Sequence, residues 1–303
     1  PEKAEIVRAM QQPLKQWLES VGVSSFQAST LSRRLPTYFV LALNHEWRSR
    51  PEYSAIVTYI NTPFAEAKER LRGWQLYKAW LQKQIEEPMM FEAFGLADVY
   101  VPLRGYFRQL PIGKKSYTRL LDAQKIDRVV VDLEEELIRW VHKADKNDAI
   151  RVISGDPGSG KSSFAKIFAA RLAQHKNFPV LFVPLHLLNP KGDLIEEIAT
   201  FIRYDHYIKQ NPLCPDDEDL RLLLILDGLD ELSMQGKVSK ECALEFVREV
   251  QTKVNLFNQR QTRLQVVITG REIAIQSAFQ QTSNVLHVLP YCVNQLANAQ
   301  QTG

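Results

Sequence analysis

The chain has 303 residues, 45% apolar and 24% charged, an ordinary globular composition with length enough for two domains. A formal net charge of +3 is too small to argue for nucleic acid, and no apolar stretch approaches the roughly 18 residues of a membrane helix. Cys214, Cys242 and Cys292 are odd in number and widely spaced, which argues against a disulfide framework or zinc site and points to a reducing cytoplasm.

The opening residues read as a charged helix rather than a signal peptide. The first 95 residues lack strand alternation and Gly-rich loops. Apolar side chains recur at helical spacing at Leu14, Trp17, Leu18 and Val21, at Phe39, Leu43 and Trp47, and at Leu71, Trp74, Tyr77, Trp80 and Leu81. The pattern predicts packed core helices in a bundle, with breaks at Pro36 and Pro51 and a helix start at Pro63. His45 stands near Glu46, but no second histidine or cysteine completes a metal set, and Glu66 and Lys68 complete no nuclease pattern. The absence of a basic stripe argues against nucleic acid as a partner. Residues 97–104, Ala-Asp-Val-Tyr-Val-Pro-Leu-Arg, read as an extended linker, and Asp132 to Trp140 as a charged helix leading into a strand.

The segment Ala149 to Ser154 is short and β-branched, as a buried strand would be. It runs into Gly155-Asp156-Pro157-Gly158-Ser159-Gly160-Lys161-Ser162, which fits the spacing of the phosphate-binding P-loop. Glycines let the backbone turn its N–H groups inward around a phosphate, and the helix that follows from Ser163 aims its N-terminus at the same anion. Lys161 is expected to reach the β- and γ-phosphates and Ser162 to sit on Mg²⁺. The ligand class is therefore a nucleoside triphosphate, ATP or its product ADP, with Mg²⁺.

Val180 to Leu185 predicts a second strand, Asp193 to Tyr207 a helix, and Pro212 to Asp219 a solvated loop. Leu222 to Leu226 is a continuous apolar run, fitting a central parallel strand, and ends in Asp227-Gly228-Leu229-Asp230-Glu231. Acids at that end lie where open α/β sheets bind ligands. Asp227 is the expected Mg²⁺-side carboxylate, and Asp230 or Glu231 the group that orients or deprotonates the attacking water. A helix is predicted near Ser239 to Phe257. The strand Leu264 to Ile268 leads into Thr269-Gly270-Arg271-Glu272, where Arg271 is placed to fork onto a γ-phosphate. Val285 to Leu289 is the last predicted strand. Alternating strands and helices give a parallel, doubly wound α/β sheet after an all-α N-terminal domain.

These elements resemble the NACHT domain of signal-transducing ATPases, the STAND class of P-loop NTPases, over roughly residues 98–290. Asp227-Gly228-Leu229-Asp230-Glu231 is similar to the family's extended acidic motif, and Thr269-Gly270-Arg271 to its sensor motif, with Gly270 replacing a hydroxyl residue. The resemblance implies a three-layer core with strand order 5-1-4-3-2. It divides the chain into a helical adaptor or effector domain of bacterial type over 1–95, a linker and lead-in helix over 96–145, and a nucleotide-binding core over 146–303. It also places Tyr100 and Pro102, in a Tyr-x-Pro-Leu stretch, near the nucleotide base. Family members continue into a winged helix and a sensor array. Because the chain stops at Gly303, just past the last predicted strand, a fragment is expected.

The implied function is a slow Mg²⁺-dependent ATPase switch in innate immune or anti-phage defence. Its nucleotide state would control self-association of the N-terminal domain in the full-length protein, with trigger and effector partner open. The alternative is a motor or small-molecule enzyme in which turnover itself is the output. Neither the Asn-Lys-x-Asp of Ras-like GTPases nor the Leu-Ser-Gly-Gly-Gln of ABC ATPases follows the P-loop.

Overall fold

A computed structural model of the protein describes residues 5–49, 63–88, 94–109, 127–176, 178–205, 207–213, 220–234, 240–271 and 284–290. Pro51, Cys214, Cys292, Glu272, residues 214–219 of the expected loop, and the side chains of Leu43, Trp47, Glu66, Lys68 and Cys242 lie outside the described residues.

The N-terminal region is helical: α1 (Glu5–Ala9), α2 (Gln11–Ser20), α3 (Ser25–Ser49) and α4 (Pro63–Glu86). Pro63 opens α4, where its missing N–H would have had no helical partner anyway. Pro36 does not break the chain; it lies inside α3. The Ser32 carbonyl, which Pro36 cannot serve, accepts instead from Gln11 Nε2 at 3.3 Å, so the lost helical bond is replaced from α2. The expected packed core is also only partly realised. Trp17, Val21 and Leu71 are 60%, 58% and 63% exposed, and α2 contains no buried residue. Leu14 and Leu18 are half-buried while the adjoining stripe of the same helix faces outward. Helix α4 behaves otherwise: Tyr77, Leu81 and Ile85 join the apolar cluster of the sheet.

Residues 96–145 hold more than a linker and a lead-in helix. A short helix α5 (Leu96–Val99) is followed by β1 (Arg104–Gln109) and β2 (Asp127–Asp132), an antiparallel pair with Arg104 opposite Asp132. These strands lie at the sheet margin, where Val129 and Val130 stay 41% and 43% exposed. A margin strand needs no long apolar run, and the sequence marks this pair only by the three valines Val129-Val130-Val131. Helix α6 (Leu133–Lys143) starts where Asp132 Oδ1 accepts from the Glu135 N–H at 3.0 Å, and it buries Leu133, Leu137, Trp140 and Val141.

The remaining elements alternate: β3 (Ile150–Ser154), α7 (Lys161–Lys176), β4 (Val180–Pro184), a 3₁₀ turn (Leu185–Leu187), α8 (Leu194–Asp205), β5 (Leu222–Asp227), α9 (Leu229–Met234), α10 (Lys240–Phe257), β6 (Leu264–Gly270) and β7 (Val285–Val288). The seven-stranded sheet runs β2-β1-β7-β3-β6-β5-β4. Its strands from β3 onward are parallel, and β1 joins β7 antiparallel. In chain order the parallel strands stand 5-1-4-3-2, as the resemblance implies. Consecutive residues of β3, β5, β6 and β7 are all buried, and since neighbours on a strand point to opposite faces, both faces are covered. Helix α7 is buried nearly all round because α4 packs on it as well as the strands.

At the margin of the sheet, β4 is met by α4. The Tyr77 hydroxyl donates to the Phe182 carbonyl and accepts from the Phe182 N–H, both at 3.1 Å. One side chain thereby satisfies two edge groups that would otherwise template another strand. An earlier turn of α4 lies against the segment after α8, where Gly73 permits close approach: a Cβ there would stand 2.8 Å from the Tyr207 carbonyl oxygen. Among the described residues no helix is long and apolar enough to cross a membrane.

Candidate nucleotide-binding site

The site lies beyond the C-terminal ends of β3, β5 and β6. The chain leaves β3 at buried Ser154, turns through Gly155 to Gly160 and enters α7 at Lys161. Gly158 and Gly160 have φ of +76° and +84°, a region that side chains with a Cβ rarely adopt. The Phe164 N–H closes the first helical turn on the Gly160 carbonyl at 2.8 Å. The Gly155 N–H reaches the Gly270 carbonyl at 3.4 Å, tying the loop to the end of β6. Asp156, Pro157, Gly158 and Ser162 are exposed, while Ser159 and Ser163 are half-buried.

Lys161 folds back over this loop. Its Nζ donates to the Gly155 and Asp156 carbonyls at 2.8 Å each and to Ser159 Oγ at 3.3 Å. Burial lowers its pKa below the ordinary lysine range; Asp230 opposes this, Arg271 adds to it, and Asp156 and Asp227 oppose it further. These charges therefore share one neighbourhood with the ammonium.

Asp227 ends β5 and is 7% exposed. Its Oδ1 accepts from the Thr269 hydroxyl at 2.5 Å, and that hydroxyl accepts from the Gly228 N–H at 3.0 Å. Thr269 thus fixes the carboxylate and the turn after it from the neighbouring strand. Gly228, at φ +90°, starts the turn that delivers two acids on α9. They diverge: Asp230 Oδ2 pairs with Arg271 Nε at 2.7 Å, and Glu231 Oε2 meets His186 Nδ1 at 3.0 Å.

Sequence reasoning missed three of these features: the Thr269 bridge, the Asp230–Arg271 pair and His186. His186 sits just past the end of β4, in the same position relative to its strand as the acids after β5, so the rule that ligands gather at strand ends could have flagged it. In the Tyr-x-Pro-Leu stretch, Leu103 reaches the loop, its Cδ1 3.6 Å from where a Gly160 Cβ would stand. Tyr100 lies under the Arg171 guanidinium, 5.6 Å from the ring centroid, and Arg171 pairs with Glu134 at 2.6 Å. Burial pushes the Tyr100 phenol up to about 12. Pro102 is exposed.

The donor set suits magnesium. One hydroxyl and one carboxylate, Ser162 and Asp227, leave room for phosphate oxygens and water, as Mg²⁺ prefers. Among the described residues no three His, Cys, Asp or Glu side chains cluster as an all-protein metal cage.

Residues 150–290 match the NACHT domain model, and residues 1–96 match the NACHT N-terminal helical domain 3 model. The chain carries a NACHT domain. It is accordingly a P-loop NTPase of the STAND type. A search of curated proteins finds no significant match. Among solved structures, the ORC2 protein of Aeropyrum pernix is similar with TM-score 0.35 and 16% identity, over 51% of this chain and 46% of that one. Cdc6p of Pyrobaculum aerophilum is similar with TM-score 0.35 and 16% identity, over 56% and 48%. PCH-2 of C. elegans follows with TM-score 0.29 and 15% identity, over 54% and 40%. These are distant likenesses, and the chain spans about half the length of the first two.

Proposed function

We propose that the chain binds ATP with Mg²⁺ and hydrolyses it slowly, as the switch of a defence signalling protein. In this reading Gly155 to Lys161 hold the β- and γ-phosphates through backbone N–H groups and the Lys161 ammonium. Ser162 and Asp227 hold Mg²⁺, which neutralises phosphate charge when bound. Arg271 senses or stabilises the γ-phosphate. Tyr100 and Pro102 are offered as the base-side wall. Domain bounds near residue 95 and residue 146 complete the reading, with nucleotide state governing self-association of the N-terminal helices.

The supporting observation is the division of labour between the two acids. Asp230 is committed to Arg271 and lies close to Lys161. The pair with Arg271 occupies one oxygen of the Asp230 carboxylate and fixes its direction. Glu231 meets the His186 ring instead of a guanidinium, and in this reading it takes a proton from water as that oxygen attacks the γ-phosphorus and the bond to the β-phosphate oxygen breaks. The test is Glu231→Gln assayed for binding and turnover with ATP and Mg²⁺. The variant should hold ATP as tightly as the wild type while turnover falls about 10²–10⁴-fold. Unchanged turnover would move the base to Asp230, and failure of the wild type to bind ATP would end the nucleotide reading altogether.

A further inference from the structure

Asp230 and Glu231 lean to opposite sides of β5. Asp230 meets Arg271 beyond β6, the neighbour on the side of β3 and its phosphate loop. Glu231 meets His186 beyond β4, the neighbour on the far side. Its side chain is folded over the turn, for a Cβ at Gly228 would stand 2.9 Å from Glu231 Cδ. Glu231 is thus drawn away from the loop where a γ-phosphate would lie. A general base acts only within hydrogen-bond reach of its proton, or through one water.

His186 is not carried on a free loop. It belongs to the 3₁₀ turn directly after β4, between buried Leu185 and exposed Leu187. Leu187 and Trp80 of α4 border one cavity of about 140 Å³, which Phe182 and Lys166 also line. Phe182 is the residue whose N–H and C=O are held by Tyr77. One N-terminal helix is therefore bonded to the strand and borders the same cavity as the turn that carries His186. The cavity lies between α4 and the turn, so the packing between them is weaker than in a close-packed core.

We propose that His186 is a positioning residue that holds Glu231 away from the phosphate loop, and that docking of α4 on β4 sets this hold. The inference rests on the reading of Glu231 as the water-activating carboxylate. Undocking α4 would loosen the turn, release Glu231 toward the loop and speed hydrolysis. The N-terminal region would then govern how long ATP persists.

The test measures ATP turnover and ATP affinity on the whole chain. His186→Ala should raise turnover by about two- to fivefold, the scale of one half-exposed contact, with affinity unchanged. His186→Asn keeps a hydrogen-bond donor and should return most of the wild-type rate. Leu187→Ala, at a residue that is 58% exposed, enlarges the cavity between the turn and α4 without opening the core, and should raise turnover in the same sense. The double variant should be no faster than His186→Ala alone. General loss of structure lowers a rate, so only release raises it. Wild-type or reduced turnover in His186→Ala overturns the hold, and full additivity with Leu187→Ala overturns the link to α4. Wild-type turnover in Glu231→Gln, run alongside, instead removes the reading of Glu231 on which the proposal stands.

Discussion

Strands β3, β5 and β6 bury every residue along their lengths, whereas α2 buries none. Leu222 to Leu226 is a continuous apolar run and is enclosed, while Trp17 of α2 and Val21 just after it stand in solvent. The difference lies in what covers them. A central parallel strand has a neighbour on each edge and layers on each face, so each of its apolar residues finds contacts. Helix α2 meets its surroundings along one side, and its periodicity is satisfied by a single half-buried stripe. Helix α4 falls on the core side of this divide. Tyr77 ties it to β4 and Leu81 to the sheet's apolar cluster, though its sequence resembles that of its exposed neighbours.

Substitutions can break or sharpen this contrast. Leu224→Ala, at the centre of β5, should cost about 2–5 kcal/mol in denaturant unfolding, because the enclosed site cannot collapse around the loss. Tyr77→Phe should cost about 1–3 kcal/mol by leaving the Phe182 peptide groups buried without their partner. Hydrogen exchange should show faster loss of protection at the Phe182 amide; unchanged protection would place α4 outside the core. Trp17→Ser should shift stability by less than about 0.5 kcal/mol, as expected of an exposed position. A loss of several kcal/mol there would mean that the face is covered.

The phosphate loop was legible because its chemistry dictates residue types. Gly158 and Gly160 occupy positive φ, and a lysine must follow. Strands β3 to β7 announced themselves as short apolar runs, and their order came with the family resemblance. The β1–β2 pair did not: Val129-Val130-Val131 of β2 is a β-branched run of only three residues between charged ones, and Arg104-Gly105-Tyr106 has no distinctive pattern. Pro36 misled because its compensation, the Gln11 amide on the Ser32 carbonyl, comes from another helix. Pairings such as His186 with Glu231 and Asp230 with Arg271 join separate strand ends, so spacing along the chain does not encode them.

The claim on which the rest depends is that Lys161, lying across the Gly155 and Asp156 carbonyls, is the cation that takes the phosphates of ATP. Calorimetric titration of ATP with Mg²⁺ into the wild type and Lys161→Ala tests it most directly. The expected result is one saturable event in the wild type and affinity about ten- to a hundredfold weaker in the variant, the scale of a lost charge-assisted contact. The unfolding midpoint without nucleotide should stay close to that of the wild type. Equal affinity in the two proteins would contradict the claim.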